Sequence, residues 1–488
     1  MELKIPFPGR VLLLGCGSVS QCFQPLALRH LEMDFSKFTV MDFEDLREAI
    51  PETLAAGASY AQERVTPANL PEVLGRHLGP GDLLIDLAWN IDCGEILQWC
   101  HDNDVLYVDT ATEVWDPYED VASMPPPERT LYVRHLALRR LRQSWSEPGP
   151  TAVVEHGANP GLVSHWTKVA LLDIAAAMLE RGLPDEPLRK SALEAALADE
   201  DFARLAMNTG TKVIHISERD TQIPDRPKEV DEFVNTWSVS GFHEEGIAPA
   251  ELGWGTHERR LPRFAEVHRF GPGNQICLAQ MGVNTFVRSW VPLGGEIIGM
   301  VVRHGEAFTI SDHLTVWEDD KPIYRPTVHY AYLPTDSAIA SLHELKMRGH
   351  ELQPRQRIMN DEIVDGRDEL GVLLMGHDLT GWWTGSQLDI HETRELVPRQ
   401  NATTLQVAAS VLGAISWMAR NPRQGLCVPD DLPHRDVLEV ASNYLGPCPS
   451  VQTDWTPLRN RSDPFERFGR PRPADEDVWQ FETFRAHM

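Results

Sequence analysis

The sequence predicts an α/β fold in which a Rossmann-type, doubly wound parallel sheet is followed by a second α+β domain built on a large mixed or antiparallel sheet. As far as Asp109, short apolar segments alternate with segments of helical spacing, which is typical of βαβ units. A glycine-containing turn joins the first apolar segment to the first helix. From about Val213 onward, polar and apolar residues alternate as in half-buried strands. The 488 residues are too many for one hydrophobic core, so two domains are expected.

The first predicted unit is a strand over residues 10–14 followed by a helix that begins near Val19. Gly15 and Gly17 lie in the turn between them, where the missing Cβ atoms allow backbone N–H groups to approach a ligand. The helix N-terminus favours negative charge, as in the pyrophosphate sites of dinucleotide-binding folds. We therefore assign Gly15, Gly17, Ser18 and Val19 to cofactor binding.

The next predicted strand, residues 38–41, ends at Asp42. A carboxylate at this position accepts hydrogen bonds from the ribose hydroxyls and repels a 2′-phosphate, so the expected cofactor is NAD. The third glycine of the usual fingerprint is replaced by Ser20, which leaves the loop intact.

Two further predicted strands are followed within four residues by an acidic residue. Since ligands bind beyond the carboxyl ends of parallel strands, Asp92 and Glu113 are placed on the cofactor side. Helix capping, or a position in a solvated loop, is the alternative for both. The pattern from Asp42 to Asp109 predicts helices at residues 44–56 and 94–103 and strands at residues 82–89 and 105–109.

The domain organisation follows from changes in pattern. We assign residues 1–150 together with about 395–440 to the NAD-binding domain, residues 151–394 to a substrate-binding and dimerisation domain, and residues 441–488 to an extended tail. The apolar helix at residues 401–418 is expected to return to the first domain. The tail is expected to wrap the body or a partner subunit.

Composition excludes several function classes. The chain has 45 basic and 72 acidic residues, and a formal charge of −27 argues against nucleic acid and anionic membranes as partners. The seven cysteines form no CxxC pair, so neither a disulfide framework nor a metal site is assigned. No signal-peptide pattern is evident, and no apolar run approaches the ~20 residues that span a bilayer. We expect a cytoplasmic protein.

Asn159 begins an Asn-Pro-Gly turn at the predicted domain junction. Proline keeps the preceding residue extended and glycine permits close approach, so the Asn159 amide can face the junction. The alternative is that Asn159 simply caps the following helix.

His304 and Glu306 fall on a predicted strand over residues 302–310, two positions apart and therefore on one face. A base beside a carboxylate suits proton transfer or amine binding. A metal pair lacking a third ligand and a surface pair are the alternatives.

The segment 232–258 places Trp237 among glutamates that include Glu244 and Glu245. Aromatic faces beside carboxylates suit an organic cation. The alternative is a core tryptophan with solvated glutamates. Glu218, on an earlier strand, is a further acid that could face inward.

Several of these motifs together resemble the bacterial homospermidine synthases, which belong to the saccharopine dehydrogenase-like group. The resemblance spans nearly the whole chain, and it includes the loop over residues 15–18, the strand ends at Asp92 and Glu113, HGANPG, FVNTWSVSGFHEEG, AELGWGTHE, RHGEAF and the closing TDWTPL.

The resemblance implies a homodimeric enzyme that joins two putrescines, or spermidine and putrescine, to give homospermidine with release of ammonia or a diamine. It implies that bound NAD takes a hydride from the substrate and returns it, with imine intermediates and no net oxidation. A carboxylate or His304 would serve as base.

The resemblance also implies roles for individual residues. Trp237 would hold the substrate ammonium near the nicotinamide, and Asn159 and Glu113 would flank the reacting amine. Asn159 would also bind the cofactor. Asp92 would lie close to the cofactor. The distal amines would be bound, or protons moved, by Glu218, Glu245, His304 and Glu306.

Two other functions stay open at this point. A saccharopine- or carboxyspermidine-type NAD(P)-dependent dehydrogenase would need an arginine for the substrate carboxylate, for which Arg303 and Arg325 are available. A non-catalytic NAD-binding sensor would bind the cofactor without turnover of a diamine.

Overall fold

The computed structural model describes residues 3–119, 123–461 and 472–486. Its first sheet has seven strands, and every neighbouring pair is parallel. In spatial order the strands are Leu426–Cys427, Ala152–Val153, Leu106–Asp109, Leu83–Asp86, Val11–Leu14, Phe38–Asp42 and Ser59–Gln62. The helices that accompany them are Ser18–His30, Pro51–Ala55, Leu70–His77, Cys93–Asp102 and Leu131–Ser144. Strand Val11–Leu14 is buried throughout, as the apolar run predicts.

The second sheet has eleven strands and is largely antiparallel. Among its described pairs, only Val213–Asp220 and Thr327–Leu333 run parallel. The other members are Pro249–Gly253, Ala265–Val267, Gln275–Met281, Phe286–Val291, Gly295–Met300, Arg367–Met375, Gly381–Asp389, Ser450–Thr453 and Arg485–Ala486. The predicted fold class, a parallel sheet followed by an α+β domain on a large mixed sheet, is confirmed.

Small two-stranded sheets and helices complete the molecule. The small sheets pair Ile5–Pro6 with Leu31–Glu32, Ile223–Pro224 with Ile363–Asp365, Glu232–Asn235 with Arg355–Ile358, and Val316–Glu318 with Lys321–Tyr324. The remaining α-helices are Leu162–Glu180, Pro187–Asp199, Phe202–Thr209, Val239–Ile247, Glu306–His313, Asp336–Met347, Ile390–Leu396, Ala402–Arg420, His434–Ala441 and Phe481–Phe484.

Two long apolar helices lie inside the molecule. Ala402–Arg420 packs on the helix Ser18–His30 of the first domain and also contacts strands of the second sheet. Leu162–Glu180 packs on the strands Arg367–Met375 and Gly381–Asp389. By length and composition, both helices are long and apolar enough to cross a membrane, contrary to the expectation from sequence. However, 89% of the apolar window of Ala402–Arg420 and 67% of that of Leu162–Glu180 are buried within the protein. Burial inside the protein accounts for their apolar character.

The residues after 440 attach to the second sheet at two points. Ser450–Thr453 pairs with Gly381–Asp389, and Arg485–Ala486 pairs with Phe286–Val291. The predicted tail therefore follows the body of this chain where it is described. Residues 462–471 of that tail lie outside the described residues.

Some predicted elements are wrong. The helix expected at residues 44–56 is divided into a 3-10 turn, Arg47–Ala49, and a short helix, Pro51–Ala55. Pro51 has no N–H and starts a helix more readily than it continues one. The strand Ser59–Gln62 and the helix Leu70–His77, which follow, were missed.

Two helices in the region expected to be β-rich, from about Val213, carry predicted site residues. After Glu232–Asn235 the chain turns into the helix Val239–Ile247, because the Ser238 side chain accepts a hydrogen bond from the Gly241 N–H and caps it. Similarly, the strand expected at 302–310 is the helix Glu306–His313 preceded by an irregular segment.

Candidate active site

Gly15 turns the chain between the strand Val11–Leu14 and the helix Ser18–His30. Its φ of 84° lies in the left-handed region, and a Cβ here would come within 2.7 Å of the Leu87 carbonyl oxygen, so glycine is required. A Cβ on Gly17 would meet nothing within 4 Å, and no described side chain caps the helix that follows. The open space before an uncapped helix N-terminus fits the pyrophosphate of a dinucleotide.

Asp42 lies beside this loop at the end of its strand. Its Oδ2 accepts a hydrogen bond from the Cys16 N–H at 2.7 Å, and its Oδ1 accepts one from the Glu44 N–H at 3.0 Å. The side chain is only half-buried and can still reach a ligand. The residues present therefore fit NAD, with the carboxylate where ribose hydroxyls are bound in folds of this type.

A cavity of about 200 Å³ lies beyond the carboxyl ends of the parallel strands, between the two domains. It brings together most of the residues predicted to bind substrate or carry out catalysis. Seven of the predicted residues line it: Val19, Glu113, Asn159, Glu218, Trp237, Glu245 and His304.

Asn159 and Glu218 are in direct contact. The Asn159 Nδ2 donates to Glu218 Oε2 at 3.0 Å, and the Tyr330 hydroxyl donates to the same oxygen. Burial raises the pKa of Glu218 to about 8, although both hydrogen bonds oppose this shift. Glu218 can therefore exchange a proton near neutral pH. Tyr330 was missed by the sequence reasoning, although it lies in the strand that pairs with the one carrying Glu218.

Trp237 is half-buried at the cavity wall. Its indole N–H donates to the Tyr332 hydroxyl at 3.0 Å, and its ring packs against Phe242 with centroids 5.2 Å apart. The indole is thus held in orientation by two residues that do not themselves line the cavity. This placement differs from that of a fully buried core tryptophan.

His304 bridges two carboxylates. Its Nε2 lies 3.1 Å from Glu245 Oε2 and its Nδ1 lies 3.3 Å from Glu306 Oε1. Burial opposes a charge on the ring, but the two carboxylates outweigh it and hold the pKa of His304 well above its usual value. A protonated His304 donates to both acids, which favours a role in holding them rather than that of a free base. Glu306 lies behind the histidine and does not line the cavity.

Glu244 and Glu245 differ sharply in environment. Glu244 Oε1 pairs with Arg134 at 2.8 Å and with Arg303 at 2.5 Å. Burial opposes its ionisation, but the two guanidinium groups hold the pKa of Glu244 below its usual value. Its charge is therefore already neutralised, and Glu245, which contacts His304, is the acid of the pair that is available to a ligand.

Glu113 has a buried Oε2 without a hydrogen-bond partner among the described residues. Burial, and then the charge of Glu244, raise the pKa of Glu113 well above its usual value. A buried, unpaired carboxyl oxygen is costly unless a ligand supplies a donor. Glu113 is therefore a candidate contact for a substrate ammonium.

Asp92 lies elsewhere. Its Oδ1 accepts a hydrogen bond from the Glu95 N–H at 2.9 Å and caps the helix Cys93–Asp102, and Asp92 does not line the cavity. This is the capping alternative considered above.

Asp220 and Asp368 are acids that the sequence reasoning missed. They face each other on neighbouring antiparallel strands near Glu218. Thr403, which lines the cavity, donates to Asp368 Oδ2 at 2.7 Å. Burial raises the pKa of Asp220 to about 6. The sequence alone could not reveal this cluster, because it does not show which distant strands pair or in which register.

The cavity is suited to cations. Among the described residues, six carboxyl groups line it against two arginines and one histidine, and both arginines pair with Glu244. An aromatic face, carboxylates and a neighbouring dinucleotide loop together suit redox chemistry on an amine.

Fold and site define a dinucleotide-binding protein of the saccharopine dehydrogenase class. The family described as Saccharopine dehydrogenase NADP binding domain matches residues 11–153, and that described as Saccharopine dehydrogenase C-terminal domain matches residues 157–447. The particular family follows from full-length similarity: the chain belongs to the homospermidine synthases.

Two relatives and one solved structure carry this assignment. The chain is 43% identical to the homospermidine synthase of Blastochloris viridis, over 97% of this chain and 96% of the relative. It is 40% identical to that of Mesorhizobium japonicum, over 97% and 95%. The crystal structure of the Legionella pneumophila homospermidine synthase in complex with NAD is similar with a TM-score of 0.87, 37% identity and 99% coverage of both chains.

Proposed function

We propose that this protein is an NAD-dependent homospermidine synthase that joins two putrescines, or spermidine and putrescine, and releases ammonia or a diamine. The observation that supports this best is the lining of the cavity, in which carboxylates outnumber arginines and lie together with the face of Trp237. The two arginines that also line it both form ion pairs with Glu244. Such a lining stabilises a dication and disfavours an anionic substrate.

NAD would be held by the glycine loop with Asp42, and when bound it would supply a hydride acceptor and donor. The protein itself must bind and orient the amines and control their protons. We assign the reacting ammonium to Asn159, Glu113 and the face of Trp237. Glu218 can take a proton from that nitrogen, because its pKa is raised to about 8.

The distal ammonium groups would be bound by carboxylates. We assign one to Glu245, whose position is fixed by His304, with Glu306 holding that histidine from behind. Asp220 and Asp368 lie close to Glu218, and burial raises the pKa of both. Cation binding would favour the ionised form of each acid.

The dehydrogenase alternative is less well supported. A carboxylate substrate needs a free arginine, but Arg134 and Arg303 share Glu244. Arg325 donates to Thr315 and to the Gly273 carbonyl and does not line the cavity. A non-catalytic NAD-binding sensor would not need a cavity lined by several acids.

Incubation of the purified protein with NAD and putrescine, with identification of the products by mass, tests the proposal. Putrescine deuterated beside one amine should give homospermidine that retains the label, without accumulation of NADH absorbance. Stoichiometric NADH release would point to an ordinary dehydrogenase, and binding of NAD without any product would point to the sensor. We also propose that the protein is cytoplasmic and that it forms a homodimer. Sedimentation of the purified protein would test the homodimer.

A further inference from the structure

Glu155 occupies an unusual position in the cavity wall. It lies two residues after the end of the strand Ala152–Val153, and its backbone has a left-handed φ of 56°. Non-glycine residues rarely adopt this backbone conformation, and strain of this kind is retained where the surroundings enforce it. A Cβ on Gly305 would come within 1.8 Å of the Glu155 carboxylate, so the acid lies directly against the backbone between His304 and Glu306.

The carboxylate of Glu155 is buried and tightly held. Its Oε1 accepts from the Thr112 hydroxyl at 2.8 Å, and its Oε2 lies 2.8 Å from Nε2 of His135. Burial opposes ionisation, but the charge and hydrogen bond of His135 outweigh it and hold the pKa of Glu155 below its usual value. Nε2 of His135 is therefore the donor to an ionised carboxylate.

His135 connects this pair to a second cavity. It does not line the cavity that holds Asn159 and Trp237, but it lines a second cavity of about 500 Å³, whose wall includes residues of the helices Leu131–Ser144 and Glu306–His313. Exposed Arg142 and Gln143 also line that second cavity, so it opens to solvent.

The reaction proposed above needs such a connection. An ammonium nitrogen must lose a proton before hydride can leave its carbon, and the attacking amine must be neutral. The cavity already holds several acids whose pKa is raised by burial, so a path to water that bypasses them would speed the removal of protons. On this basis, which rests on the proposed function, we infer that Glu155 and His135 form a proton relay between the substrate cavity and the second cavity.

The relay moves protons only. Release begins from the tautomer of neutral His135 that carries its proton on Nδ1: a proton leaves the substrate nitrogen and bonds to a Glu155 oxygen, Glu155 passes a proton to the free Nε2 of His135, and the proton on Nδ1 goes to water in the second cavity. This leaves His135 with its proton on Nε2, the form that donates to ionised Glu155. The return runs the same path backwards: water protonates Nδ1, the Nε2 proton moves to Glu155, and Glu155 gives a proton to the leaving amine, which restores the first tautomer. No electrons are exchanged, so the oxidation states are unchanged.

Other charged groups face Glu155 and will shape its pH dependence. His304 lies near enough to stabilise the carboxylate, whereas Glu306 is a nearby like charge. Asp109 Oδ1 accepts from the Glu155 N–H at 2.6 Å, and burial raises the pKa of Asp109 to about 8. The variants that test the relay therefore leave these three residues in place.

The test uses chemical rescue in the full-length, NAD-bound protein. His135→Ala should reduce homospermidine formation by about a hundredfold, the scale of a single proton-transfer group. Imidazoles of different pKa, which can enter from the second cavity, should restore turnover to a degree that depends on their pKa. His135→Gln keeps a donor to Glu155 but cannot pass protons, so it should be equally slow and should not respond to imidazole. If His135→Ala does not fold, the slow turnover of His135→Gln carries the test.

Phe308→Leu is the matched packing control, because the Phe308 ring packs 5.1 Å from that of His135 and lies outside both cavities. It should lower the melting temperature and keep the wild-type pH profile. Full turnover in His135→Gln, or rescue of His135→Ala that is independent of imidazole pKa, would overturn the relay.

A readout that does not need product separates the relay from the proposed function. Stopped-flow mixing of NAD-loaded protein with putrescine in weak buffer, with a pH indicator, reports the rate of proton release. His135→Gln should slow this rate at least tenfold relative to wild type. An unchanged rate would contradict the relay, whereas absence of homospermidine from the wild-type protein would contradict the proposed function alone.

Discussion

Trp237 is the residue at which a binding role and a packing role differ most in their consequences. Its ring is half-buried, held by Tyr332 and Phe242, and lines the cavity. A cation–π contact desolvated in this way contributes roughly 2 kcal/mol, or about thirtyfold. The energetic value of the residue thus depends on a bound ammonium.

We expect Trp237→Phe and Trp237→Ala to fold, bind NAD and lose turnover progressively, because indole is the strongest π donor to an ammonium. Steady-state kinetics with putrescine and thermal unfolding measure the two effects separately. A core tryptophan would behave differently: truncation to Ala would cost ~3–5 kcal/mol of stability. A strongly destabilised Trp237→Ala protein with full specific activity would contradict the binding role.

Asp42 is expected to decide between NAD and NADP. Asp42→Ala should weaken NAD binding by on the order of 2–4 kcal/mol, because two charge-assisted hydrogen bonds to the ribose are lost. It should also relax the discrimination against NADP, since the repulsive charge is gone. Titration with both cofactors measures this, with Glu44→Ala as the neighbouring control. Unchanged affinity for both would exclude Asp42 as the ribose ligand.

Secondary structure elements place these residues, and the sequence predicted the elements unequally. The first strand, glycine turn and helix were predicted within about two residues, because local apolar periodicity and glycine determine them. Glu306 was placed on a strand but begins a helix, and His304 contacts it all the same. Glu155, His135 and Asp368 could not be predicted, because they meet only through the packing of elements far apart in the chain.

The N-cap of the helix Cys93–Asp102 gives a test at this scale. Asp92→Ala should cost about 1 kcal/mol of stability through loss of the cap, and Asp92→Ser should restore it. Because Asp92 does not line the cavity, both variants should keep the turnover of the wild-type protein. Chemical denaturation and kinetics together measure this. Loss of turnover in Asp92→Ser with normal stability would restore a catalytic role for the carboxylate.

The whole molecule carries opposing groups of buried titratable residues. Burial raises the pKa of several acids, so the folded state binds protons that the unfolded state releases: Asp86 to about 7, Asp109 to about 8, Glu218 to about 8, Asp220 to about 6 and Glu258 to about 7. The stability that these protonated acids contribute to the folded state is fully present only at low pH, and it is lost as pH rises through these pKa values.

Buried histidines act in the opposite direction. Burial lowers their pKa to about 4, so their contribution to the free energy of unfolding is present above pH 6.5 and is lost as pH falls from there towards 4. The histidines concerned are His156, His257, His268, His329, His377 and His434. The two groups oppose each other below about pH 6.5. Above it, the stability falls with rising pH because of these acids and of His304, whose pKa is held well above its usual value.

We therefore expect the melting temperature of the free protein to fall from pH 6.5 to pH 8. Putrescine should reduce this fall, because an ammonium favours the ionised acids. Glu218→Gln should also make it shallower, since one titrating group is removed. Calorimetry across this pH range measures each slope. A melting temperature that rises with pH would contradict the assignment of these acids as protonated in the folded state.

The edge strand Leu426–Cys427 completes a sheet whose next strand, Ala152–Val153, was synthesised more than 250 residues earlier. During translation, the amino-terminal half emerges from the ribosome without this strand and without the helix Ala402–Arg420 that covers its first helix. We therefore expect the nucleotide site to be complete only after residue 427 has been synthesised. A nascent or truncated chain that lacks residues 402–427 would expose apolar surface to chaperones and proteases, so this loss should remove cofactor binding at the opposite end of the sequence.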